Sequence, residues 1–173
     1  MRFYLGLAAL VVLTGCGGDS SSGPDEPTYP AAAGTYAISG SFDGLTPQQA
    51  NFSGTLTVAQ ASREAPALTG NFNVTATIGG DVFVLAGTLQ SATITTAGVI
   101  SFATGDAGAA WSFSGTMSGT SVSGRHTLTD GTDAFSGNWS AQRTGNLVAA
   151  LALPAAASDM GTLAHRLSQE ASR

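Results

Sequence analysis

The sequence predicts an all-β domain, an eight-stranded antiparallel up-and-down barrel, on three observations. The first is a five-residue signature: apolar, small, Gly, any residue, then apolar or aromatic. It occurs as Ile38-Ser39-Gly40-Ser41-Phe42, Phe52-Ser53-Gly54-Thr55-Leu56, Leu68-Thr69-Gly70-Asn71-Phe72 and Leu85-Ala86-Gly87-Thr88-Leu89. Phe113-Ser114-Gly115-Thr116-Met117, Phe135-Ser136-Gly137-Asn138-Trp139 and the variant Val122-Ser123-Gly124-Arg125-His126 complete the set. The second is a period-two alternation around each glycine, which is the mark of a half-buried strand. Leu68, Gly70, Phe72, Val74, Ala76 and Ile78 share one face, and Thr69, Asn71, Asn73, Thr75 and Thr77 share the other. The aromatics Tyr36, Phe42, Phe52, Phe72, Phe83, Phe102, Trp111, Phe113, Phe135 and Trp139 all fall in phase with the apolar face. The third is the shortness of the links, with Gly79-Gly80-Asp81, Ser118-Gly119-Thr120 and Asp130-Gly131 as hairpin signals.

The chain divides into four parts. Residues 1–15 have signal-peptide anatomy: Arg2 supplies the positive region, and Leu5 to Leu13 form an apolar run. That run is far shorter than the ~20 residues a membrane-spanning helix needs. Leu13-Thr14-Gly15-Cys16 then resembles the lipobox of bacterial lipoproteins at all four positions. The resemblance implies that the signal is cut before Cys16, which becomes the acylated first residue of a lipid-anchored chain. Several acyl chains together give stable anchoring where one gives only marginal binding. Gly17 follows the cysteine where an Asp would favour inner-membrane retention in that family, so the expected address is the cell envelope, at the outer membrane. Cys16 is the sole cysteine, which excludes intramolecular disulfides.

Residues 16–33 carry the lipidated Cys and a Gly-, Ser- and Pro-rich stretch with almost nothing apolar to bury, expected to be a flexible tether. The chain has no lysine and a formal charge of −5, so a nucleic-acid partner is excluded. Only 10% of its residues are charged, which leaves Ser, Thr, Asn and Gly to face water.

The domain proper, 34–143, is read as strands at 34–42, 51–60, 68–78, 82–89, 98–104, 110–117, 121–129 and 133–143. Closing such a meander removes exposed edges. Inward glycines suit it, because they allow tight coiling and leave room for bulky neighbours. A two-sheet β-sandwich is the alternative. A membrane-spanning barrel fits poorly, since its outward face is apolar. The pattern leaves open whether an eight-stranded barrel is filled or holds one small ligand.

Gly34-Thr35-Tyr36 in the first strand and Arg143 at the end of the last are similar to the calycin barrels, the lipocalins and avidins. There a Gly-x-Trp motif packs against a basic residue from the barrel's end. Here Tyr36 stands in place of the Trp, and Gly137-Asn138-Trp139 carries the motif in the last strand. The resemblance implies a structural cation–π cluster of Tyr36, Trp139 and Arg143, with the first and last strands adjacent.

Catalytic material is scarce, and no cofactor or enzyme activity is expected. His126 lies on the inward face with Val122, Gly124 and Leu128, as a ligand contact or as a histidine bonded to backbone. His126, Tyr36, Trp111, Trp139 and Arg143 form the candidate ligand-binding set. Alternate connections of a meander fall at one end, so Asp43, Asp81, Asp106, Asp130 and Asp133 share one rim. It is a candidate cation or basic-partner site facing away from the membrane, although Asp is also a good turn residue.

Residues 144–173 form a tail. Ser158 or Asp159 is expected to cap a short helix with Met160, Leu163 and Leu167 along one stripe, loose or partly docked, with plugging of the barrel's proximal end, lying on the membrane and fraying as the alternatives. Two functions follow as expectations. One is a lipid-anchored envelope barrel binding a small apolar ligand or a protein partner. The other is a solid-cored interaction or structural protein working through its outer wall or acidic rim. The sequence leaves the oligomeric state open.

Overall fold

The computed structural model describes residues 26–106, 108–146 and 159–173. The expectations for residues 1–15, for Cys16 and the first part of the tether, and for residues 147–158 lie outside the described residues. The described chain forms β1 (Gly34–Ser41), β2 (Ala50–Gln60), β3 (Leu68–Ile78), β4 (Asp81–Thr88) and β5 (Gln90–Ile94). It continues with β6 (Val99–Gly105), β7 (Ala110–Ser118), β8 (Ser121–Thr129), β9 (Ala134–Gly145) and one helix, α1 (Met160–Ala171).

All nine strands belong to one curled antiparallel sheet, in the order β4-β3-β2-β1-β9-β8-β7-β6-β5. The first and last strands pair, with Ile38 opposite Ala141 and Gly40 opposite Trp139. The sheet's two edges, β4 and β5, are separated in sequence by Leu89 alone. Following the antiparallel pairings round the sheet, β4 and β5 run in the same direction. They are two halves of one bent strand, which brings the edges together and gives the sheet its barrel curl.

The expected strand count is corrected here. The strand read as 82–89 continues through a kink into β5, which the sequence reading took for a link. The reason is a change of phase. Phe83 and Leu85 point inward, but beyond the kink it is Ala92 and Ile94 that are buried. Ser91 has a φ of 49°, the left-handed region rarely used by non-glycine residues. The register with β6 shifts at the same place. The lower part of this segment also meets the far side of the sheet. Ala67 bridges Thr93, and the Ile94 N–H donates to the Pro66 carbonyl at 2.8 Å.

The glycines of the repeated signature serve strand-to-strand approach. A Cβ on Gly124 would lie 2.0 Å from the Ser114 carbonyl oxygen, and one on Gly54 would lie 2.2 Å from that of Asn73. At Gly40 the near neighbour is the Phe52 ring, at 2.3 Å. These positions let the sheet coil tightly enough to bring its inward aromatics together.

The interior is built from rings. Phe102 stacks on Phe113 with centroids 4.8 Å apart, and Phe52 meets Trp111 edge-on at the same separation. Phe42, Phe72 and Trp139 complete the cluster, and Phe135 alone of the predicted aromatics is only half-buried. Outward faces carry mainly Ser, Thr and Asn, as on β3 and β8.

Both ends of the barrel are covered. At the end where β1 begins, the last residues of the expected tether fold onto the domain. The Tyr29 N–H donates to the Arg63 carbonyl at 2.7 Å, Arg63 Nε returns a bond to the Tyr29 carbonyl, and Ala32 is fully buried. The ordered domain therefore starts earlier than residue 34. At the opposite end sits α1, and this corrects the expected position of the tail. It is docked, away from the end where the N-terminal segment enters. Met160, Leu163, Ala164 and Leu167 are buried, with Asp159 capping the helix through the Thr162 N–H. No described helix is long and apolar enough to cross a membrane.

Candidate functional site

His126 on β8 stands opposite Phe113 on one side and Gly137 on the other. It is almost wholly buried, ringed by Phe42, Phe52, Trp111 and Phe113. Trp111 Nε1, which can only donate, reaches His126 Nδ1 at 3.0 Å. Nδ1 is therefore unprotonated, and Nε2–H donates to the Ser41 carbonyl at 2.9 Å. Gly137 makes that bond possible, since a Cβ there would lie 2.7 Å from His126 Nε2. Burial pushes the imidazole below its ordinary value of 6.5, and the nearby Arg125 charge adds to the effect. Both nitrogens are used and the ring is neutral. His126 and Trp111 form a polar pair sealed among rings, with no lone pair or proton turned to an open site.

Tyr36 and Arg143 are register partners across β1 and β9. Arg143 Cζ lies 5.4 Å from the Tyr36 ring centroid, and Nη2 donates to the Tyr36 hydroxyl at 2.8 Å. The hydroxyl in turn donates to the Ala32 carbonyl at 2.7 Å. Arg143 also reaches the Ala31 carbonyl at 2.5 Å. This pair ties the N-terminal segment down over the barrel's end. Trp139 is not part of it, which corrects the expected three-residue cluster. Its ring packs edge-on against Phe102 and Phe113, and its Nε1 lies within hydrogen-bond distance of the Ser114 and Arg125 carbonyls. Of the five candidate ligand-contact residues, the structure thus joins Trp111 to His126 and Tyr36 to Arg143, and places Trp139 in the ring core.

The five aspartates do lie at one end, opposite the end where β1 enters. Because β4 and β5 run the same way, the extra strand leaves the alternation of ends unchanged. They do not converge. Among the described residues no three His, Cys, Asp or Glu side chains gather as a metal-ligand set. Asp43 pairs with Arg125 across the outer wall, and that bond holds its carboxyl below the usual range of 3.8. Asp81 binds Arg166 Nε at 2.6 Å. Asp130 accepts from the Asp133 and Thr132 N–H groups of its own turn, which lowers its pKa.

Asp106 has a part that its sequence position did not disclose. Oδ2 accepts the Met160 N–H at 2.9 Å, at the start of α1, while Oδ1 accepts the Gly108 and Ala109 N–H groups. The Met160 bond comes first among the causes that lower its pKa. A carboxylate beside a helix N-terminus is favourably placed. The sequence held the signal only as an Asp near a turn and a short capped helix far along the chain.

Comparison with protein-family models, with curated proteins and with solved structures finds no match.

Proposed function

We propose that this chain is a lipid-anchored, solid-cored β-barrel of the bacterial cell envelope. It works by contact through its outer surface, as an interaction or structural component, and is not an enzyme. The anchor rests on the likeness of Leu13-Thr14-Gly15-Cys16 to a lipobox, with Gly17 favouring the outer membrane. The single observation that carries the choice over a ligand carrier is the ring cluster. Phe42, Phe52, Phe72, Phe102, Trp111, Phe113 and Trp139 touch one another at centroid separations of 4.8 to 6.1 Å along the barrel's interior. A small-ligand site is a concavity of ~300–1,000 Å³ with a few convergent polar groups. Here His126 and Trp139, the polar groups nearest that centre, are bonded to the protein itself.

The test is native mass spectrometry of the protein purified from its own membranes. The expected species begins at Cys16, carries acyl chains and retains nothing else. A co-purifying apolar small molecule at stoichiometric amount would favour the carrier reading, and an unmodified Cys16 would remove the anchor.

A further inference from the structure

The upper part of the barrel's seam has no strand ladder across it. β6 ends at Gly105, and Thr104 lies beside Gly87, near the lower end of β4. Residues 81–86 of β4 therefore run on past the end of β6, paired with β3 on one side only. The edge is unusual in a second way. Its outward residues are Val82, Val84 and Ala86, and Val82 is 62% exposed, whereas the neighbouring β3 shows Thr and Asn outward. An unpaired apolar edge invites wrong pairing, and proteins commonly cover one with a helix.

α1 lies beside that edge across a cleft and leaves Val82 exposed. Its start is held by the β6–β7 connection, where Asp106 takes the Met160 N–H and Gly108 packs on Gly161. Its later turns are held by the β3–β4 turn, where Arg166 binds Asp81 and Glu170 approaches Gly79. A cleft of about 520 Å³ separates Asp81, Val82 and Phe83 from Asp159, Thr162 and His165, so the helix lies alongside the edge without adding a strand to it. The two connections it ties together belong to opposite sides of the seam.

We propose that α1 is a releasable clasp, which closes the barrel by tying the β6–β7 connection to the β3–β4 turn and whose release loosens β4 along its unpaired edge. Three features make it releasable. It has 12 residues, too few to be stable as an isolated helix, so it folds only when docked. It joins the sheet through side chains and one capping carboxylate, not through a ladder. One of its ties, Arg166 to Asp81, reaches a carboxylate that is largely exposed. This device goes beyond the envelope reading and does not depend on it.

The experiment is hydrogen exchange on the full chain with Cys16→Ser, comparing it with Gly108→Cys/Gly161→Cys. A Cβ on Gly108 would lie 3.8 Å from the Gly161 Cα, one on Gly161 would lie 3.9 Å from the Gly108 Cα, and neither has a positive φ, so a disulfide there fastens the clasp. In the unlocked chain, amides of α1 and of residues 81–88 should exchange together, at least ~10-fold faster than those of β1 and β9. Oxidation should slow both segments together, and reduction of the same variant should restore them. Asp106→Asn should speed both. Exchange of α1 and β4 only at the rate of β1 and β9 would overturn the proposal. So would a disulfide, or an Asp106→Asn change, that alters α1 and leaves β4 unmoved.

Discussion

At the scale of single residues, the buried His126–Trp111 pair sets the strongest expectation. His126→Phe keeps an aromatic ring but leaves Trp111 Nε1 and the Ser41 carbonyl without partners in an apolar interior. Each orphaned group costs ~1–3 kcal/mol, so urea denaturation should show a loss of about 2 kcal/mol or more. A loss below ~0.5 kcal/mol, the level of ordinary surface changes, would show that the pair contributes little. The sequence placed His126 on the inward face correctly. It did not disclose the tautomer, because Ser41 lies far away in sequence and meets the ring only when β1 and β9 pair. The acidic rim behaves in a similar way. Its position followed from strand parity, but the partners of its carboxylates depended on Arg125, Arg166 and α1. With Asp43, Asp81, Asp106 and Asp130 already engaged, millimolar calcium should leave the melting temperature unchanged, and a clear rise would restore the cation-site reading.

At the scale of elements, the glycine-centred strands were the most legible part of the chain. The period-two pattern located every strand but one, within about a residue or two. What the pattern concealed was the purpose of each glycine. At Gly124 a Cβ meets backbone of β7 at 2.0 Å, whereas at Gly145 nothing lies within 4 Å and φ is not positive. Backbone cannot step aside as a flexible side chain can. Gly124→Ala should therefore cost about 1–3 kcal/mol or more in overpacking. Gly145→Ala, at the end of β9, should stay within ~0.5 kcal/mol of the parent. Equal effects in chemical denaturation would show that the coiling does not rest on the glycines. The strand that was missed, β5, failed for a definite reason. One residue at Ser91 in a left-handed conformation reverses which side chains face inward. A fixed alternation cannot follow the chain through such a kink.

At the scale of the whole molecule, the barrel curl was readable because a meander with one wet face has few ways to hide its edges. The covers at its two ends were not. The N-terminal segment is held by Tyr36, Arg143 and Arg63, and α1 by Asp106 and Asp81, all contacts across long stretches of sequence. The buried histidine and the bonded carboxylates shape the pH response of the whole molecule. His126 has a folded pKa below its ordinary 6.5, so the unfolded chain binds the extra proton first. Its stabilising contribution is complete above ~6.5 and is lost as pH falls through the lower folded value. Asp43, Asp106, Asp130 and Asp159 have folded pKa values below 3.8, so theirs is complete above ~4 and is lost further down. The melting temperature should thus be highest near neutrality and fall in two stages on acidification. Asp106 and Asp159 both accept N–H groups in the first turn of α1, so the second stage should begin there. Hydrogen exchange at falling pH, corrected for intrinsic rates, should show α1 losing protection before β1 and β9. Asp106→Asn should lower the neutral melting temperature and flatten the acid stage. A single cooperative loss of α1 and the central strands at every pH would show that the helix is an inseparable part of the barrel.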